Sequence, residues 1–304
     1  MRFVRFFSEE EPHLGLLLPH DWIFDLTAAN QQLLGNRLTS VTQLMGDPDL
    51  LTRLATFAAS EERFKRRRHD VRVDAPIRDV PKLLALAGNF RKHVEESGFQ
   101  SVQPQDLITP QVFSKPPSTT INAPGGSIAL RPSNRFLDWE VELAVIIGRG
   151  GRNVSAGNAM SHVFGYSVIN DVSEWELNGD MPGRTVREFD PFFDWLLGKW
   201  FDGSAPLGPE IVTADEIGDP HALNLRLSLN GDIMQSSNTA QMIFDIPRTI
   251  EYVSSVLTVE PGDVIAMGTP DGIGKARGIR LRPGDLMRAE IQGIGILETN
   301  IVTE

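Results

Sequence analysis

Two glutamates stand two residues apart in Leu137-Asp-Trp-Glu-Val-Glu-Leu-Ala-Val-Ile-Ile-Gly148, a segment that otherwise reads as a buried strand. Side chains on a strand alternate between faces, so Glu140 and Glu142 share one face while Trp139, Val141 and Leu143 take the other. Ionised carboxylates set side by side in apolar surroundings are costly unless a positive group holds them, and a bound metal ion is one such group. The plain alternative is a half-exposed strand with a polar outer face, against which the apolar run 143–147 argues for burial. A third oxygen donor is Asp171, which ends the β-rich run Val163-Phe-Gly-Tyr-Ser-Val-Ile-Asn-Asp171 at the kind of strand exit where scaffolds present ligands. Asp171 reads equally well as the N-cap of a helix-like stretch over 172–177. Together the three carboxylates would make an all-oxygen site suited to Mg²⁺ or Mn²⁺, with positions left for water and substrate. Zinc fits less well, since the chain has no Cys and its six His are scattered singly.

A possible base lies upstream, in Leu83-Leu-Ala-Leu-Ala-Gly-Asn-Phe-Arg-Lys-His-Val-Glu-Glu-Ser97, an apolar strand that turns at Gly88-Asn89 into a short charged helix-like segment. His93 and Glu96 are three residues apart, on one face of a helix, where the carboxylate can fix the imidazole tautomer and raise its basicity. A solvated surface pair is the ordinary alternative.

The elements that must position these groups follow from the breaks in the pattern. Residues 1–75 hold short strands near 2–7, 14–18 and 22–26, then helical stretches near 40–45 and 49–64, which reads as a small N-terminal α+β cap. From Ala75-Pro76 onward, many short apolar strands separated by Gly and Pro turns read as a β-rich catalytic domain over 76–304, with 240–256 as its clearest helix. The basic run Lys65-Arg-Arg-Arg-His69 between the two reads as a solvated helix end or linker.

The order of these segments resembles the fumarylacetoacetate hydrolase family. Asn89-Phe-Arg-Lys-His93-Val-Glu-Glu96 is similar to that family's Asn-Tyr-x-x-His-x-x-Glu lid, and Phe113-Ser-Lys-Pro116 to its Phe-x-Lys-Pro turn. Asp138-Trp-Glu140-Val-Glu142-Leu-Ala resembles the metal-binding strand and Gly165-Tyr-Ser-Val-Ile-Asn-Asp171-Val-Ser the strand with the third ligand. Gly198-Lys199-Trp-Phe-Asp, Pro206-Leu-Gly-Pro209, Asn230-Gly231 and Pro261-Gly-Asp-Val-Ile-Ala-Met-Gly268-Thr-Pro-Asp-Gly-Ile-Gly274 follow in the family's order.

The resemblance, which spans about residues 80–302, implies an α+β fold whose catalytic part is a mixed β-roll. It implies Mg²⁺ or Mn²⁺ held by Glu140, Glu142 and Asp171, with His93 and Glu96 on a lid. It further implies a substrate such as a 1,3-dicarbonyl or 2-oxo acid whose oxygens chelate the metal, so that an enolate is stabilised as a carbon–carbon bond breaks. Lys199 would stabilise an oxyanion or substrate carboxylate, and Thr269 with the backbone at Gly268 would bind another substrate oxygen. Lys115 is a further binding candidate, with a plain loop lysine as the alternative. A homodimer is implied as well.

One departure bears on substrate. Many relatives carry Arg four residues beyond the ligand Asp and Gln seven beyond, where this chain has Trp175 and Asn178. A neutral indole offers apolar surface and one donor in place of a bidentate fork, which disfavours small dianions such as oxaloacetate. The following stretch, Asn178-Gly-Asp-Met-Pro-Gly-Arg184-Thr-Val-Arg187, reads as an extra loop, and Arg184 or Arg187 is expected to meet the distal end of the substrate.

The function expected is divalent-metal-dependent hydrolysis of a carbon–carbon bond in a 2,4-dioxo acid, an acylpyruvate or diketo sugar acid. Isomerase, decarboxylase or dehydratase chemistry on a 2-oxo acid at the same site is the alternative, and a non-catalytic diketo-acid-binding protein the second. With 304 residues and 41% hydrophobic content the chain can bury a sizeable core. A formal charge of −11 argues against nucleic acid and anionic membrane surfaces as partners. The run 148–153 lacks the third Gly of a dinucleotide fingerprint, 269–276 lacks the ends of a P-loop, and no Gly-x-Ser-x-Gly elbow is present. No secretory signal is visible at Met1-Arg-Phe-Val-Arg-Phe-Phe and no apolar run reaches spanning length, so a cytoplasmic enzyme is expected.

Overall fold

The computed structural model describes residues 1–35, 37–98, 105–131, 136–179 and 181–304. Its first part contains strands β1 (Arg2–Ser8), β2 (Glu11–Leu18) and β3 (Trp22–Asp25), helices α1 (Leu26–Leu34) and α2 (Pro48–Ser60), then β4 (Lys65–Arg67) and β5 (Arg72–Asp74). Next come β6 (Leu83–Ala87), α3 (Arg91–Glu96), β7 (Gln111–Lys115), α4 (Pro117–Thr120), β8 (Ile121–Asn122), β9 (Ser127–Leu130), β10 (Leu137–Asp138) and β11 (Val141–Ile147). They are followed by α5 (Ala156–Ala159), β12 (Val163–Asn170), β13 (Ser173–Glu174), α6 (Asp190–Leu197) and β14 (Ala205–Thr213). The last part holds β15 (Asn224–Leu229), β16 (Asp232–Asn238), α7 (Ile246–Val256), β17 (Val264–Ala266), α8 (Gly274–Arg277), β18 (Leu286–Ile291) and β19 (Gly295–Thr303).

The apolar run after Glu142 becomes β11, buried along its whole length because it is covered on both faces and paired along both edges, by β12 and by β17. It sits within a mixed sheet of order β4-β3-β2-β1-β14-β12-β11-β17-β6-β7, with β5 joined to β1 and β8 to β14. A five-stranded sheet of order β16-β15-β18-β19-β9 packs on one side of the central strands. Period-two alternation then sorts β11 between two cores. Val141, Leu143, Val145 and Ile147 join Leu225, Leu227, Met287, Ala289 and Leu297 of the five-stranded sheet. Ala144 and Ile146 join Phe3, Leu14, Phe24, Leu83 and Leu207 on the opposite face. Glu142 is in phase with this second face, so its side chain leaves β11 on the side of the core that the N-terminal strands help to build.

Three expectations change. The stretch 172–177 is not a helix: Ser173 and Glu174 pair with Asp138 and Leu137 in a two-stranded ribbon, which removes the N-cap role for Asp171. Helix α7 begins at Ile246 rather than near 240, because Asp245 caps it by accepting from the Arg248 N–H and Pro247 occupies the first turn. The basic run 65–67 is an edge strand on β3, with the Arg67 guanidinium 3.9 Å from the centre of the Trp22 ring, rather than a helix end or linker. Among the described residues no helix is long and apolar enough to cross a membrane.

Candidate active site

Glu140 and Asp171 reach the same point from neighbouring strands, because the Asp171 N–H donates to the Glu140 carbonyl at 2.8 Å and the Asn170 side chain accepts the Glu140 N–H at 2.9 Å. Glu142 follows on β11. One carboxylate oxygen from each of Glu140, Glu142 and Asp171 lies within 4.8 Å of the others, and all three residues are buried. Expectation and structure agree that the two glutamates and the aspartate form one cluster.

Two lysines answer part of its charge. The Lys199 ammonium donates to Glu140 Oε1 at 2.9 Å and to Asp171 Oδ2 at 2.7 Å. The Lys115 ammonium donates to Asp171 Oδ1 at 2.5 Å and to the Ser204 carbonyl at 2.9 Å. Lys115 is fully buried rather than a loop lysine at the surface. Burial alone would raise the Asp171 carboxyl, but Lys115 and Lys199 hold it below the usual carboxylate range. Burial likewise opposes charge on Lys199, yet Asp171 and Glu140 raise its pKa. Glu142 accepts only the Gly268 N–H, at 2.7 Å, among the described residues. Burial, then the charges of Asp171 and Glu140, push it well above its ordinary value. With Glu142 ionised and both lysines protonated, three carboxylates would face two ammonium groups, a residual negative charge that burial opposes in Glu142. That imbalance, the all-oxygen donor set and the mutual closeness fit a hard divalent cation such as Mg²⁺ or Mn²⁺.

The His93 pair is ordered beside the glycine-rich turn that carries Gly268. His93 is buried, Nδ1 lies 3.0 Å from Glu96 Oε1, and Glu96 Oε2 accepts the Gly272 N–H at 2.9 Å. A carboxylate fixed at both oxygens presents one defined acceptor to the imidazole, which places the ring proton on Nδ1 and leaves Nε2 able to accept. Helix α3 starts from Asn89, whose amide donates to the Phe244 and Met267 carbonyls at 3.0 and 2.8 Å and accepts the Phe244 N–H at 2.8 Å. Gly268 passes under this residue at φ +85°, where a Cβ would come within 2.6 Å of the Asn89 Cβ, so the turn needs glycine.

The other expected contacts are placed differently. Thr269 donates to the Val141 carbonyl at 3.1 Å and accepts from Gln235 Nε2 at 2.8 Å, and the Gly268 N–H is taken by Glu142. Both groups brace the ligand strand. The Trp175 indole N–H is spent on Asp138 Oδ2 at 2.8 Å. Burial raises Asp138 to about 6. Arg184 donates to Asp194 at 2.5 Å, Arg187 to Asp190 at 2.9 Å, and Asn178 to Asp194 at 2.9 Å. These side chains tie the 178–187 loop to α6, which turns both guanidinium groups toward carboxylates of the chain itself; Asp180 of that loop lies outside the described residues. Reasoning from residues alone missed Gln235, which also accepts the Val141 N–H at 3.0 Å, and Ser173, which donates to Glu140 Oε1 at 2.8 Å. Ser173 could have been flagged by its place two residues after Asp171. Nothing local marks Gln235. An open concavity of about 530 Å³, lined in part by Phe136, Glu176 and Arg282, contains none of Glu140, Glu142, Asp171, His93 and Glu96.

Comparison with known proteins gives a consistent result. The family model for the fumarylacetoacetate (FAA) hydrolase C-terminal region matches residues 82–302. A mitochondrial oxaloacetate tautomerase of Bos taurus is 38% identical over 239 residues, which cover 77% of this chain and 71% of that protein. Among solved structures, the maleylpyruvate hydrolase of Sphingobium sp. SYK-6 in complex with manganese (II) ion and pyruvate superposes with a TM-score of 0.78 at 27% identity, over 100% of this chain and 99% of its own. The 2-hydroxyhepta-2,4-diene-1,7-dioate isomerase of Mycobacterium marinum does so with a TM-score of 0.74 at 27% identity, over 100% and 99%.

Proposed function

The chain belongs to the fumarylacetoacetate hydrolase family, and from that premise we propose that it is a divalent-metal-dependent hydrolase cleaving a carbon–carbon bond in a 2,4-dioxo acid. Its relatives are enzymes that include hydrolases, isomerases and tautomerases. The observation that carries the hydrolytic reading is the pairing of a buried oxygen triad with a doubly anchored His93–Glu96 pair. An acidic cluster alone serves any enolate chemistry, whereas hydrolysis also needs a base poised to deprotonate water.

Mg²⁺ or Mn²⁺ held by Glu140, Glu142 and Asp171 would supply Lewis-acid stabilisation of the enolate. Lys199 keeps Glu140 and Asp171 aimed and offers positive charge near the substrate carboxylate. Glu96 holds the His93 ring with Nε2 free, so that His93 takes a proton from water while the resulting hydroxide adds to the C4 carbonyl. The C3–C4 bond then breaks, its electron pair passing into a pyruvate enolate. C4 leaves as a carboxylic acid, and the proton held by His93 returns to C3. In the present structure Thr269 and the Gly268 N–H brace β11, and Asn178, Arg184 and Arg187 are engaged with Asp190 and Asp194.

The relatives named for isomerisation and tautomerisation support a second reading, in which His93 moves a proton between carbon and oxygen with no water added. Product analysis separates the two. Incubation of an acylpyruvate with protein and Mg²⁺, with an EDTA control, should release a carboxylic acid and pyruvate in equal amounts. Interconversion of keto and enol forms without acid release would replace the hydrolase by the isomerase reading. The homodimer implied by the resemblance remains part of the proposal, to be tested by light scattering of the full chain.

A further inference from the structure

We propose that Lys275, laid against the Trp175 indole at the rim of the site, is the residue that selects substrates carrying a second carboxylate at their far end. This rests on the hydrolase reading above and specifies its substrate as a 2,4-dioxo diacid.

Trp175 links the buried centre to the surface. The Lys199 ammonium lies 5.8 Å from the centre of an indole ring whose other neighbour is the Lys275 ammonium, at 5.6 Å. The two cations are therefore separated by no more than those two distances combined. Lys199 is buried among the triad, while Lys275 is exposed. A substrate whose 2-oxo acid end lies at the triad and whose tail runs along the indole arrives at Lys275.

The placement is built. Asp138 Oδ2 accepts both the Trp175 indole N–H at 2.8 Å and the Lys275 backbone N–H at 2.8 Å, and Asp138 Oδ1 accepts the Gly274 N–H at 2.6 Å. One buried carboxylate thus fixes the ring and the start of α8 relative to each other. Phe136, its ring centre 5.9 Å from the Lys275 ammonium, forms a second apolar wall. The two rings flank the Lys275 ammonium, at 5.6 Å and 5.9 Å from their centres, and it forms no salt bridge among the described residues. Arg184 and Arg187, the cations expected for this task, are instead paired with Asp190 and Asp194. The arginine that many relatives carry four residues after the ligand aspartate would project from the centre itself. Here Trp175 fills that place and the cation stands further out, which favours a longer diacid over a short one such as oxaloacetate.

The test uses a matched pair of probes, 2,4-dioxoheptanedioate and 2,4-dioxoheptanoate, which differ only by a terminal carboxylate or methyl. Steady-state kinetics with Mg²⁺ are measured for the wild type, Lys275→Met and Lys275→Arg. The preference in kcat/KM for the diacid over the monoacid should fall about tenfold in Lys275→Met, the loss residing in KM, and largely return in Lys275→Arg. In the wild type, added salt should raise KM for the diacid more than for the monoacid. An unchanged preference in Lys275→Met overturns the proposal. If the wild type cleaves neither probe, the hydrolase reading fails, and equilibrium binding of the same two acids in Mg²⁺ decides the role of Lys275. Selective weakening of the diacid in Lys275→Met supports it, and equal weakening of both overturns it.

Discussion

Two residues of the site carry opposite demands, and each gives a test. His93 is held by a carboxylate that is itself held, so removing either partner should act on chemistry more than on metal binding. His93→Ala and Glu96→Gln are expected to lower kcat by about 10²–10⁴-fold, with Mg²⁺ affinity near that of the wild type. Near-native turnover in His93→Ala would mean that something else activates the water. Glu142 is the member of the triad that no lysine touches. Its pKa is raised above the ordinary 4.5 by burial and by its acidic neighbours. A carboxyl that binds its proton more tightly when folded loses stability as pH rises from its unfolded value through its folded one. The EDTA-treated wild type should therefore lose stability relative to Glu142→Gln, which lacks the charge, as pH rises above the ordinary carboxyl value of 4.5. Saturating Mg²⁺ should invert the order: at a hundredfold excess over Kd, about 2.7 kcal/mol is gained by the wild type, about 5 °C in Tm, and little by the variant. Equal Mg²⁺ shifts in both proteins would remove Glu142 from the metal site. Glu140 and Glu142 were legible as a candidate pair because two acids in phase beside an apolar run raise the question of what holds their charge, a half-exposed strand being the alternative, and the family resemblance joined the strand-exit candidate Asp171 to them. Gln235 and Ser173 were not, since an uncharged side chain gives no such contradiction and its role depends on what faces it.

At the scale of elements, the helix that carries His93 and Glu96 is short and depends on its anchor. A six-residue helix has too few internal hydrogen bonds to be stable by itself, so α3 holds its place through Asn89 at its start and Glu96 at its end. Asn89→Ala would leave the Phe244 N–H and the carbonyls of Phe244 and Met267 buried without that partner, at about 1–3 kcal/mol for each group left unsatisfied. The variant should melt several degrees lower and lose kcat, while Mg²⁺ affinity holds because Asn89 touches no ligand. A variant that melts lower yet turns over normally would show that α3 does not need this anchor. The strand-turn-helix order of this segment was readable from an apolar run ending in Gly88-Asn89. The ribbon of β10 and β13 was not: two residues on each side pair across separations of 35 and 37 positions, and the local pattern at 172–177 suits a helix as well. Tertiary pairing decided it.

At the scale of the whole molecule, the cap expected over residues 1–75 shares its sheet and its core with the rest. β1 pairs with β14, and Phe3, Leu14, Leu16 and Phe24 pack in one cluster with Leu83, Ala144, Ile146, Ile169, Leu207 and Ile211. The strands near 2–7, 14–18 and 22–26 were visible from composition and alternation, but not their partner, because β14 lies about two hundred residues away and sequence spacing says nothing of such a pairing. The consequence reaches the site. Glu142 opens from the same face of β11 as Ala144 and Ile146, so the N-terminal strands cover the apolar floor on which the acidic triad rests. Removing residues 1–75 would leave that floor open to water and free the edge of β14, a strand buried at every position, to pair with other chains. The 76–304 fragment is therefore expected to aggregate or bind a hydrophobic dye strongly, to melt without a cooperative transition, and to show no EDTA-sensitive turnover. A monodisperse fragment with the turnover of the full chain would mean that the catalytic strands form a complete core without the first 75 residues.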